Sequence, residues 1–126
     1  MPDQVYSSQD VDFGSYAKLF WVQGFDGDNS VVPAHRTLEI TTLTLNYFPN
    51  ATGGTLGRAD ISGRDAADLG TGTAIWRVQT VYVEPKKTVH LTFPKPLRLE
   101  AGGHVEIGFT SDGPGTITVD ANGALV

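Results

Sequence analysis

The sequence predicts an all-β chain: an antiparallel two-sheet sandwich, of the jelly-roll kind, with an extended N-terminal arm. Three observations carry this. Apolar residues recur at every second position in a series of short runs, as strands with one buried face require. The runs number about eight at spacings of about 8–12 residues, the pattern of sandwiches and jelly rolls. Fifteen Gly and seven Pro in 126 residues supply the turns such a chain needs and leave helix scarce. An immunoglobulin-like sandwich is the competing architecture, and the lack of its Cys, Trp, Cys arrangement favours the jelly roll.

Residues 1–15 mix Ser, Gln and Asp with isolated Val5, Tyr6, Val11 and Phe13, too few and too irregular for an element, so an extended arm is expected before a single domain over residues 16–126. Residues 16–22, YAKLFWV, are apolar on both parities, which suits a strand covered on two sides or one that meets a neighbouring subunit. Residues 23–33 form a polar, Gly-containing loop that Pro33 closes. The run at residues 36–48, RTLEITTLTLNYF, changes parity from Leu38 and Ile40 to Leu43, Leu45 and Tyr47. One extra residue near Thr41 and Thr42 restores a single face, so a β-bulge or bend is expected there. The same slip recurs at residues 73–83, where Trp76 and Val78 give way to Val81 and Val83.

Between those two strands, residues 50–72 read as an excursion with a short strand near residues 55–61 and a turn of helix at residues 65–69, which Gly70 can stop. The most regular patterning lies at residues 88–119. There Val89, Leu91 and Phe93, then Leu97 and Leu99, then Val105, Ile107 and Phe109 are expected to face the core. His90, Thr92, Arg98, Glu100, His104 and Glu106 occupy the solvent parity. Pro94 and Pro96 cannot donate to a central ladder and mark a crossing or an edge. Ala101, Gly102 and Gly103 make a tight reversal, residues 112–115 another turn, and Ala121-Asn122-Gly123-Ala124 a last hairpin signal.

Composition bounds function as well. A formal charge of −5 with nine Lys and Arg scattered along the chain argues against a nucleic-acid face. Without cysteine there is no disulfide framework or thiolate metal site. The start MPDQVYSSQD lacks the features of a secretory signal, and no segment approaches the length of a membrane-spanning apolar run. Cytoplasmic folding is expected, and the sequon at residues 50–52 reads as a turn.

No catalytic, cofactor-binding or metal-binding residue is expected. Asp26, Asp28, Asn29 and Ser30 place oxygens at alternate positions, but lack the further ligands and terminal Glu of a calcium loop. His35, His90 and His104 have no ligand spacing. Trp21, Trp76, Phe20 and Tyr82 could make a sugar platform, although aromatics inside strand patterns usually pack in the core. No GxSxG, HExxH or P-loop pattern occurs, and Gly63-Arg64-Asp65 reads as a polar turn. A cupin-type enzyme would need clustered His and Glu on adjacent strands, which the spacing does not assemble.

The run LTFPKPLRLEAGGHVEIGFTSDGPGTITV, residues 91–119, resembles the closing strands of small jelly-roll modules. Such modules occur among trimeric head-decoration and fibre proteins of tailed bacteriophages, in tumour-necrosis-factor-like trimers and in some lectins. The phage resemblance implies homotrimers on a capsid, with an N-terminal arm reaching neighbours. The expected function is therefore a non-enzymatic, structural protein of a virion surface that binds itself and capsid protein, without nucleic acid or membrane. A carbohydrate-binding module is the alternative, with glycan as its partner.

Overall fold

In a computed structural model, which describes residues 3–21, 29–50, 55–111 and 113–126, eight strands form two antiparallel sheets. They are β1 (Asp3–Asp12), β2 (Tyr16–Lys18), β3 (Thr37–Pro49), β4 (Gly57–Arg64), β5 (Ala74–Val83), β6 (Thr88–Glu100), β7 (His104–Ser111) and β8 (Gly115–Leu125). The first sheet runs β1-β8-β3-β6 and the second β2-β7-β4-β5. Only β4 and β5 are sequential neighbours in one sheet, and every other connection passes to the opposite sheet. That double Greek key is a jelly roll. The segments 26–28, 51–52 and Asp112 of the loops discussed above lie outside the described residues.

The inner faces supply the core that the parity reading anticipates. Leu38, Ile40, Leu43, Leu45 and Tyr47 of β3 are all buried. They share one face because the register shifts between Ile40 and Thr42, leaving Thr41 as the extra residue. β5 behaves likewise: Ala59 pairs with Val81 but Ile61 with Val78, so Gln79 and Thr80 together oppose Asp60. Val105, Ile107 and Phe109 of β7 are buried, and the Phe109 ring meets Tyr47 edge-on at 5.6 Å. Phe93 is half-buried against the same core, while Arg98 and Glu100 are exposed as expected.

The strand count of eight holds only through compensating differences. Residues 3–12 are extended, but they do not stand off as an arm: Asp3–Asp12 pair along their whole length with β8 as an edge strand. The sandwich therefore begins at Asp3 rather than Tyr16. Val5, Ser7 and Val11 point inward, and Ser7 donates to the Phe20 carbonyl at 2.7 Å. A serine in an inward slot hid the period. In the other direction, residues 88–100 are one strand, not two. Phe93-Pro94-Lys95-Pro96 bulge out opposite Thr41, between the pairs Thr42–Thr92 and Ile40–Leu97. β6 is an edge strand, where proline is tolerated.

Ala121-Asn122-Gly123-Ala124 is likewise strand rather than hairpin. Gly123 pairs with both Val5 and Ile40, and a Cβ there would lie 2.0 Å from the Glu39 carbonyl oxygen. The glycine admits the bulged backbone of β3, so its role is close approach and not a turn. The reversal at residues 101–103 joins β6 to β7 across the two sheets instead of closing a hairpin within one. Gly103 N–H closes the turn on the Glu100 carbonyl at 3.1 Å, with Gly102 at φ +85°, a conformation glycine adopts freely. Residues 65–69 form bends and a turn, without helix.

Candidate functional site on the outer face of the second sheet

Two residues assigned to solvent by parity are buried. His104 is 1% and Glu106 6% exposed, although both lie on the outer parity of β7. The cause is the β4–β5 connection, residues 65–73, which folds back over β7 instead of extending into solvent. Its own bonds shape it: Asp65 N–H donates to the Thr73 carbonyl at 3.2 Å, and Thr73 N–H to Asp65 Oδ1 at 2.6 Å. Gly70 and Gly72 supply φ of +78° and +77°.

β7 then grips this loop from below. Glu106 Oε1 accepts from Gly70 N–H and meets His104 Nε2 at 2.8 Å. The other ring nitrogen, His104 Nδ1, is bonded to the Ala66 carbonyl. A carbonyl only accepts, so Nδ1 carries a proton. Both ring nitrogens thus face oxygen atoms. Arg64, paired with His104 across β4 and β7, brings Nε to 3.2 Å from Glu106 Oε2. That contact is coulombic, since Nε is buried without a hydrogen bond, and Arg64 Nη1 donates to Gly72 O at 3.2 Å. Lys18 adds a bond from Nζ to the Ala67 carbonyl at 3.1 Å.

Burial alone would raise the Glu106 pKa. The Gly70 N–H, the His104 hydrogen bond, and the charges of Arg64 and His104 outweigh it and hold the carboxyl below its ordinary value. A His beside a Glu has the composition of a general-base pair, but here both imidazole nitrogens are engaged and the ring is closed to solvent, so no lone pair faces a substrate. The chemistry of this cluster is that of a clasp, which holds a loop to a strand by charge-assisted bonds.

Beside the clasp a groove of about 660 Å³ crosses the sheet, lined among others by Tyr16, Asp60, Ser62, Arg64, Arg77 and Thr80. A second depression of about 400 Å³ adjoins it at Tyr16, Arg64, Leu69, Gly70 and Glu106. Tyr16 is 69% exposed, and its ring rests along Gly108, where a Cβ would lie 2.6 Å from Tyr16 Cε1. Thr80 Oγ1 donates to Asp60 Oδ1 at 2.8 Å.

The residues weighed from the sequence do not converge here. His35 sits in a loop at φ 65°. His90 lies on the outer face of the first sheet, 2.7 Å from Thr44 Oγ1, and His104 lies on the opposite side of the molecule. Among the described residues no three His, Cys, Asp or Glu side chains gather as a metal ion needs. Asn29 bonds to the Trp21 carbonyl, while Asp26 and Asp28 lie outside the described residues. Trp21 is core, and half-buried Trp76 covers Gly63 and donates to the Arg98 carbonyl at 2.9 Å. Phe20 and Tyr82 are 44% and 57% exposed, so the four aromatics form no single platform. Tyr16 is the aromatic that sequence reasoning missed.

No protein-family model and no curated protein matches the chain. A solved structure described as "Bacillus endospore appendages form a novel family of disulfide-linked pili" aligns with 100% of this chain and 92% of its own, at 15% identity and a TM-score of 0.34. A likeness at that level carries no argument about what this chain does, and the jelly-roll assignment rests on the strand pairings themselves.

Proposed function

We propose that the chain is a non-enzymatic structural protein that works as one copy in an assembly, meeting its neighbour along the free edge of β5. The carrying observation is that, among the described residues, β5 is the edge strand least blunted by proline, charge or shortness. The three other edge strands are blunted: β6 by Pro94 and Pro96, β1 by Asp10, Asp12 and a bridge from Ser7 to Trp21, and β2 by its length of three residues. β5 runs for ten residues without proline and with Arg77 as its one charge. A long edge of that kind is a template for another strand. Its flanks carry Ile75 at 56% and Tyr82 at 57% exposure. Bulges at Gln79 and Thr80 and at Ile75, which falls between the pairs Gly63–Trp76 and Arg64–Ala74, interrupt the edge, so contact is expected through the side chains at its two ends.

The homotrimer on a virion surface, bound to capsid protein, is the finer form of this proposal. Exposed Phe20 supports further subunit contact. Isologous pairing of two β5 edges about an axis between Val78 and Gln79 is the competing geometry, because it sets Ile75 of one copy against Tyr82 of the other twice, and it gives even-numbered assemblies. Light scattering at micromolar concentration distinguishes these. Three chain masses support the ring and two or four the edge pair. Ile75→Lys with Tyr82→Lys should reduce the mass to that of one chain, and a wild-type monomer would refute assembly.

A further inference from the structure

The groove on the outer face of the second sheet has the makings of a ligand site, independently of the assembly reading, because strand addition at the β5 edge lies in the plane of the sheet and leaves the face above it open. Four of the nine Lys and Arg stand on the strands of this face, Lys18, Arg58, Arg64 and Arg77, against Asp60 and Glu106, with Asp65 and Asp68 in the loop that folds over it. The outer face of the first sheet has the opposite balance, with Asp10, Asp12, Glu39, Glu100 and Asp120 against Arg98 and, in the β6 bulge, Lys95. The groove is lined by Arg64 and Arg77 against Asp60 and Glu106, so of the two outer faces it is the one that repels an anion less.

Within it, two polar groups are unspent. Ser62 is 8% exposed, sits on the groove floor, and makes no side-chain hydrogen bond among the described residues. Arg77, its cross-strand neighbour, has no ion pair or hydrogen bond among them either, so its guanidinium is available as a bidentate donor. At the other end stands the Tyr16 ring, largely bare and seated on a glycine. Tyr16 and Arg77 belong to the two outermost strands of a four-stranded sheet. Three strand spacings of about 4.8 Å and a register offset of two residues, from Asp60 opposite Tyr16 to Ser62 opposite Arg77, put them about 16 Å apart at the backbone, roughly three sugar rings. Between them Asp60 and Ser62 offer acceptors for hydroxyl groups.

We propose that this groove binds an acidic oligosaccharide, with one sugar ring stacked on Tyr16 and a carboxylate held by Arg77. A nucleic acid fits less well, since Arg64 and Lys18 are already committed to the loop clasp and Arg58 lies 3.9 Å from Asp60.

The test is calorimetric titration of the full chain with trigalacturonate, neutral cellotriose and inorganic sulfate. The expected result is saturable binding of trigalacturonate, with cellotriose at least about tenfold weaker. Tyr16→Ala and Arg77→Gln should each weaken trigalacturonate by about tenfold or more, and Arg77→Lys should lose less than Arg77→Gln. Both side chains are solvent-exposed, so matched melting temperatures will show that the variants fold. Absence of saturable trigalacturonate binding would overturn the proposal. So would equal affinity for cellotriose, or trigalacturonate binding that matches sulfate and ignores Tyr16→Ala, which would make this a free-anion site only.

Discussion

Replacing Glu106 by Gln tests the clasp at its centre. The amide keeps the shape and can still accept from Gly70 N–H, but it removes the charge that faces His104 Nε2 at 2.8 Å and Arg64 Nε at 3.2 Å. The Glu106 side chain is only 7% exposed and that of Arg64 20%, so solvent screens the loss poorly. Removing one partner of a buried ion pair costs about 3–5 kcal/mol. The amide's retained hydrogen bond puts the expected loss near the lower end, about 3 kcal/mol, or roughly 12 °C in melting temperature for a domain of this size.

The pH dependence has a definite sign. The folded-state pKa of Glu106 is lowered, so in the window below its ordinary value the unfolded chain binds more protons and stability rises with pH. The contribution is complete above about pH 4.3 and is lost as pH falls through the lowered pKa. Thermal unfolding followed by circular dichroism from pH 7 to pH 2 should show wild type far above Glu106→Gln at neutral pH and the two curves converging in acid. A gap under about 0.5 kcal/mol at pH 7, or one that persists unchanged to pH 2, would refute the assignment of the charge as the clasp.

Three further outcomes follow from the packing. Gly123→Ala must displace the Glu39 carbonyl that lies 2.0 Å from its new Cβ, whereas Gly102→Ala meets open space and loses only its φ of +85°, about 1 kcal/mol. Denaturant midpoints should rank Gly123→Ala as the more damaging. Ile107→Ala is expected to cost about 2–5 kcal/mol and Arg98→Ala less than about 0.5; equal costs would mean the face assignment of β6 and β7 is wrong. A chelator should leave the melting temperature unchanged, and a fall of several degrees would bring Asp26 and Asp28 in as ligands.

Most of the architecture was legible because it rests on local periodicity. Two of the bulges could be read from parity slips, at Ile40 to Leu43 and at Val78 to Val81, since a one-residue insertion is the simplest way to return a β-strand to its buried face, whereas the one at Ile75 leaves no such slip. What escaped has a common cause: it depends on which strand lies beside which. Ser7 occupies an inward slot because the Phe20 carbonyl waits there, and nothing near Ser7 in the chain reveals that partner. Gly123 resembles turn chemistry until the bulge of β3 is set against it. His104 and Glu106 carry the polar parity correctly, but parity reports which face of a sheet a residue is on, not whether a loop covers that face. The available signal was the combination of His and Glu two apart with an Arg that opens a glycine-containing loop, and only the register of β4 against β7 gives it meaning. The groove was less visible still, as Tyr16, Ser62 and Arg77 come from three strands.

The proposed contact between copies is tested most directly by amide hydrogen exchange at increasing protein concentration. Amides of β5, residues 74–83, are expected to gain protection as concentration rises, with Ile75→Lys and Tyr82→Lys abolishing the gain. Exchange in β5 that stays the same at every concentration, or protection that grows in a different segment instead, would contradict it.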